Sequence, residues 1–117
     1  MSFSVSLSKK KAKTIKKGNV HADGTEQTLL EFQGESLVSG LVDLSEMQLG
    51  DNVIIRQYIK LCKEVAYQRY AKEQYTGVQD DPIVYLTPKR VNYAIKVTLE
   101  QSIGLFKNFD NNFTGED

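Results

Sequence analysis

Val91, Tyr93, Ile95, Val97 and Leu99 alternate without interruption against Asn92, Ala94, Lys96, Thr98 and Glu100. Successive side chains on a strand point to opposite faces, so the pattern lines up large apolar groups on one face and mostly polar groups on the other. A helix would scatter the same residues round its circumference. Ser102-Ile103-Gly104 offers a turn, and Leu105, Lys107, Phe109, Asn111 and Phe113 continue as a second alternating run, with Phe106, Asn108 and Asp110 opposite. This predicts a β-hairpin with one apolar face. A hairpin alone is marginal in water, so the remaining chain has to supply an opposing layer.

The rest of the chain carries the same kind of signal. Gly18 to Phe32 reads as a hairpin about Asp23-Gly24, a dipeptide suited to a type I′ turn. Leu37 to Leu44 is a further strand, and Gly40 in its middle predicts a bulge or a close backbone approach. Leu44 to Leu49 suits one helical turn, with Leu44, Met47 and Leu49 capping an open end of the core. Val53, Ile55, Ile59 and Leu61 then alternate with Ile54, Arg56, Tyr58 and Lys60, leaving Gln57 out of pattern. Arg56 to Gln74 contains no glycine or proline, so an amphipathic helix competes there with two strands joined near Lys63-Glu64. The tyrosines and β-branched residues favour the strands. Ile83 to Leu86 is a short strand ended by Thr87-Pro88-Lys89. About eight short strands at roughly ten-residue spacing predict an all-β protein, a single β-sandwich of jelly-roll type.

Charge divides the chain unevenly. The formal net charge is zero, with 15 basic and 15 acidic residues. Lys9, Lys10, Lys11, Lys13, Lys16 and Lys17 all lie in the first 17 residues, which hold no acidic group. The remainder carries 9 basic against 15 acidic residues, a net of −6. Ahead of the lysines, Phe3, Val5 and Leu7 alternate with serines. Residues 1–17 therefore read as a basic N-terminal arm and 18–117 as the sandwich domain, with a frayed terminus as the plain alternative. The stripe Phe3-Val5-Leu7 is suited to adding a strand to a sheet edge. The lysines are suited to phosphate or an acidic partner surface, and without interleaved aromatics or arginines any nucleic-acid contact would be non-specific. The lysines follow the apolar residues, the reverse of a secretory signal, which predicts synthesis in the cytoplasm. No stretch approaches the ~20 apolar residues of a membrane span.

Several stretches in order carry a resemblance. They are Asp23-Gly24-Thr25-Glu26-Gln27, Val42 to Asp51, Arg56-Gln57-Tyr58-Ile59-Lys60, Tyr75-Thr76-Gly77-Val78-Gln79, Pro88-Lys89, Lys96 to Gln101 and Phe109-Asp110. Together they resemble a group of small, uncharacterised all-β proteins of phage and archaeal-virus genomes and metagenomic contigs. The resemblance spans roughly Val20 to Phe113 and leaves the arm outside. In those relatives the stretch matching Leu61 to Tyr67 is a glycine-containing hairpin turn, whereas here it holds no glycine. The resemblance implies a virion structural component, found in the virion and bound to its own copies or to other virion proteins.

The residues offer little chemistry. His21 is the lone histidine and reads as a solvent-exposed turn residue, with no second histidine or cysteine nearby to share a metal. Cys62 is the lone cysteine, incapable of an internal disulfide, and reads as a passive thiol. Asp43, Asp51, Asp80, Asp81 and Asp110 lack the spacing of a calcium loop. There is no phosphate-binding glycine loop and no Gly-x-Ser-x-Gly. No catalytic residue, metal ligand or cofactor is assigned, and the expected class is a non-enzymatic, self-assembling structural protein. The alternative is a β-sandwich module that recognises carbohydrate or a host surface through Tyr58, Tyr67, Tyr70 or Tyr75, although sheet cores and interfaces use the same residues.

Overall fold

A computed structural model gives the fold and describes residues 13–116. Eight strands follow one another: β1 (Lys13–His21), β2 (Gln27–Gln33), β3 (Ser36–Asp43), β4 (Asn52–Lys60), β5 (Gln68–Thr76), β6 (Ile83–Val91), β7 (Ala94–Ile103) and β8 (Asn108–Glu116). They form two antiparallel four-stranded sheets, β1-β8-β3-β6 and β2-β7-β4-β5. The architecture is all-β and sandwich-like. Its buried cluster draws Val38, Val42, Phe109 and Phe113 from the first sheet and Val53, Ile55, Ile95, Val97 and Leu99 from the second. At roughly 1.5–3 kcal/mol for each fully buried large side chain, that shared interior is the main force holding the sheets face to face.

The alternation in the sequence identifies the buried faces. Ile95, Val97 and Leu99 are buried on β7, and Phe109 and Phe113 on β8. Their pairing differs from the hairpin expected. β7 lies between β2 and β4, whereas β8 lies between β1 and β3 in the other sheet. The two strands carry apolar faces of opposite sheets onto one core. The run beginning at Val91 is also split, because Val91 closes β6 and β7 starts only at Ala94. Leu105 falls in the connecting loop and is exposed.

The same correction applies to Gly18–Phe32. β1 pairs with β8 and β2 with β7, so Asp23-Gly24 bridges two sheets instead of closing a hairpin. Only Gly24 takes a positive φ, at 86°, where a type I′ turn needs two such residues. Asp23 Oδ1 instead accepts hydrogen bonds from the Thr25 backbone N–H and hydroxyl, at 2.9 and 2.6 Å. These bonds hold the Asp23 carboxyl below its usual pKa.

Arg56–Gln74 resolves as strand, not helix. β4 and β5 form an antiparallel pair joined through Leu61–Tyr67, the sole sequence-adjacent strands that pair within the described residues. Leu44–Leu49 forms turns without a helix. Leu44 and Met47 are buried there, but Leu49 is 94% exposed and caps nothing. β6 runs through Pro88 to Val91. The proline is tolerated because β6 is an edge strand and its register with β3 shifts at that point, where no ladder N–H is needed. Across the same shift, Gly40 sits so close to Phe113 that a Cβ would lie 2.4 Å from the ring. The extra residue at this shift belongs to β6, where Thr87 and Pro88 face Ser39, so Gly40 itself marks the close approach and not the bulge. Among the described residues no helix is long and apolar enough to cross a membrane.

Candidate functional site

The outer face of the β2-β7-β4-β5 sheet is covered by long side chains that bind one another. Thr98 on β7 stands opposite Arg56 on β4, and Lys96 stands opposite Tyr58. Arg56 pairs with Glu100 at 2.8 Å and with Glu26 at 3.6 Å. Glu26 also accepts the Tyr58 hydroxyl and, at 2.6 Å, the Thr98 hydroxyl. Burial works against the Glu26 carboxylate, but the two hydroxyls and the charges of Arg56 and Lys96 outweigh it and hold its pKa low. Burial and the neighbouring Glu26 push the Tyr58 phenol up. Lys96 Nζ lies 4.9 Å from the Tyr58 ring centroid and 4.8 Å from that of Tyr67. Lys60 Nζ stands 5.7 and 5.8 Å from the Tyr67 and Tyr93 centroids, and the Tyr67 hydroxyl donates to Glu31. Ammonium groups near all three aromatic rings make this a closed network, stabilised within itself.

The outer face of the β1-β8-β3-β6 sheet is the reverse. Register places Lys17, Asn112, Leu41 and Tyr85 in one cross-strand row. Asn19 stands opposite Asp110, and Asp43 opposite Ile83, one row further on. Most of these side chains are short, and they leave an open groove of about 560 Å³ whose lining is mainly apolar. Leu41 and Ile83 are 40% and 53% exposed within it. Asp43 and Asp110 add negative charge, and Asn19 donates to Asp110 at 2.7 Å. Asn112, also in the lining, buries its Oδ1 without a hydrogen-bond partner among the described residues.

The residues singled out from the sequence are distributed as follows. Phe3, Val5, Leu7, Lys9, Lys10 and Lys11 lie outside the described residues. Lys13, Lys16 and Lys17 belong to β1, which carries the folded sheet across the arm boundary expected at residue 17. Lys16 Nζ donates to the Leu29 carbonyl of β2 and so clasps the two sheets along one side. Lys17 lines the groove. The tyrosines separate into two pairs. Tyr58 and Tyr67 stand in the closed network, whereas the Tyr70 hydroxyl donates to Gln57 on the inward side of β4 and Tyr75 packs against the core. Burial pushes both of the latter phenols up. Cys62 is an exposed thiol in the β4–β5 loop. His21 ends β1 exposed, its Nδ1 2.9 Å from Asn108 Oδ1. Among the described residues no three His, Cys, Asp or Glu side chains gather as metal ligands would.

Sequence reasoning missed the polar residues that set the loops. Gln101, at an inward position of β7, is wholly buried. Its amide nitrogen donates to the carbonyls of Ile103 and Leu105, at 3.1 and 2.8 Å, and its oxygen accepts the Lys107 N–H at 2.9 Å. One side chain thereby satisfies backbone groups that a hairpin ladder would otherwise pair, which frees β8 to enter the other sheet. Lys107 then meets the buried Asp51 at 3.1 Å, and Gly104 packs onto that carboxylate so closely that a Cβ would collide with it. The available signal was a glutamine continuing the Ile95, Val97, Leu99 register. Compared with protein-family models, curated proteins and solved structures, the chain gives no match.

Proposed function

We propose that this protein is a non-enzymatic structural subunit that self-assembles in a virion, as a capsid, decoration, tail or fibre component, and that its fold is a jelly roll. The carrying observation is the strand pairing. β1 pairs with β8, β2 with β7, β3 with β6 and β4 with β5. That is one long hairpin with its tip at the β4–β5 turn, rolled so that alternate pairs enter alternate sheets. Eight-stranded jelly rolls of this kind serve in viral capsid and lectin domains. The resemblance of the Val20–Phe113 stretches to small viral all-β proteins favours the first, as does a basic, apolar-striped segment ahead of an acidic domain. The lectin reading needs free aromatic faces, and Tyr58 and Tyr67 have lysine ammonium groups close to their rings. The partners on this reading are copies of the chain or other virion proteins, with non-specific nucleic acid as a further contact of the lysines. Sedimentation velocity and electron microscopy of the purified full chain test it. Oligomers growing with concentration into ordered particles or filaments are expected. A monomer persisting to high micromolar concentration at low and physiological salt overturns it.

A further inference from the structure

The groove on the β1-β8-β3-β6 face combines exposed Leu41 and Ile83 with two carboxylates, Asp43 and Asp110. Its complement is an extended segment bearing apolar side chains and positive charge. The chain itself contains such a segment. Residues 1–12 hold Phe3, Val5 and Leu7 at every second position, followed by Lys9, Lys10 and Lys11, with no acidic residue among them. An extended strand places alternate side chains on one face, so the three apolar groups would reach the groove floor together.

The direction of β1 selects whose segment it is. β1 starts at Lys13 opposite Gly115 and reaches the groove only at Lys17 and Asn19. β1 therefore begins at the end of the sheet away from the groove. A segment folding back onto its own groove would need a reversal within Ser8-Lys9-Lys10-Lys11-Ala12, where Ser8 is the one turn-favouring residue and no glycine or proline sets a turn, so an extended path to a neighbouring copy is the less constrained one. Twelve extended residues span up to roughly 40 Å, enough to cross to a neighbour.

From this we infer that the groove receives the N-terminal segment of a second copy, with Phe3, Val5 and Leu7 on Leu41 and Ile83 and the lysines against Asp43 and Asp110. The inference rests on the self-assembly reading and names the contact through which assembly proceeds. Full-length variants test it by sedimentation velocity. One is the groove variant Leu41→Glu with Ile83→Glu, both at exposed positions. The other is the segment variant Phe3→Ser with Val5→Ser and Leu7→Ser. Each alone is expected to associate at least about tenfold more weakly than the natural chain. Mixing them restores one intact groove and one intact segment, so mixed pairs form and growth stops there. If the groove variant misfolds by circular dichroism, Asp43→Lys with Asp110→Lys takes its place and weakens association in the same sense. A groove variant that assembles as tightly as the natural chain overturns the inference while leaving self-assembly standing. So does a segment variant that assembles unchanged, or a mixture that yields no mixed pairs. A natural chain that stays monomeric overturns both.

Discussion

The two outer faces of this molecule start from equal numbers of strands and finish with opposite surfaces. On β2-β7-β4-β5, Arg56, Tyr58, Lys96 and Tyr67 fold over the sheet and satisfy one another, and they bury Thr98 beneath them to 3% exposure. On β1-β8-β3-β6, Asn19 and Asp110 reach no further than each other, Asn112 and Asp43 are as short, and a groove remains. The difference lies in side-chain length and charge pairing on strands with the same pleat. A face that pairs its own charges has little to gain from a partner. A face with exposed leucine and isoleucine beside two carboxylates gains both apolar burial and a charge partner.

The largest effects should fall on the interior that both faces share. Phe113→Ala beneath the groove should cost about 3–5 kcal/mol and Ile95→Ala beneath the network about 2–5 kcal/mol, because each leaves a cavity in a packed core. Urea unfolding measures both. A loss below about 1 kcal/mol for either would mean that its sheet does not back onto the common core, and the two faces would no longer be comparable.

The outer faces themselves separate at the next level. Thr98→Val removes a donor to Glu26 and should cost about 1–2 kcal/mol, more than a solvent-facing strand position would. Arg56→Ala should cost a similar amount, about 1–2 kcal/mol, from lost packing and two partly screened ion pairs. Leu41→Ser and Tyr85→Ser on the groove side should stay within about 0.5 kcal/mol. Equal losses on the two faces would break the contrast. Thermal unfolding of all four variants decides it.

Smaller still is the lysine contrast. Lys96→Ala, which removes a cation from beside two rings, should cost about 0.5–1 kcal/mol, against less than about 0.5 kcal/mol for Lys17→Ala in the groove. Double-mutant cycles with Tyr58→Leu isolate the ring contribution, and a coupling indistinguishable from zero would show that the lysine merely lies nearby.

The last contrast is with pH. Glu26 has its folded pKa below the ordinary 4.5, so its contribution is present above that value and fades as pH falls through the lowered one. Tyr58 behaves oppositely. Its pKa is raised above 10.0, so the stability it adds is present below pH 10 and lost as pH rises through the raised value. Glu26→Gln should therefore flatten the acid limb of the urea midpoint against pH. An unchanged acid limb in Glu26→Gln would show that the carboxylate is not held by its neighbours.

Much of this molecule follows from local pattern. Period-two alternation in Ile95-Val97-Leu99 and Phe109-Phe113 settles that these segments are strands and which side of each is buried, because a strand has only two faces and the core takes the apolar one. Gly40 announced the close approach of the Phe113 ring, since a glycine inside a strand marks a place where a side chain will not fit. What the alternation does not contain is the identity of a strand's neighbour. The same inward Ile95 and Phe109 are compatible with a hairpin in one sheet or with two strands facing each other across a core, as both bury equal apolar area. Tertiary structure decided for the second through long-range contacts. Gln101 closes its loop without a ladder, Asp51 and Lys107 lock that loop against β4, and each of β7 and β8 gains two partners in place of one. The outer faces divide along the same line. Arg56, Thr98 and Glu26 are far apart in sequence, and only the register that sets β4 beside β7 brings their charges and hydroxyls within bonding distance.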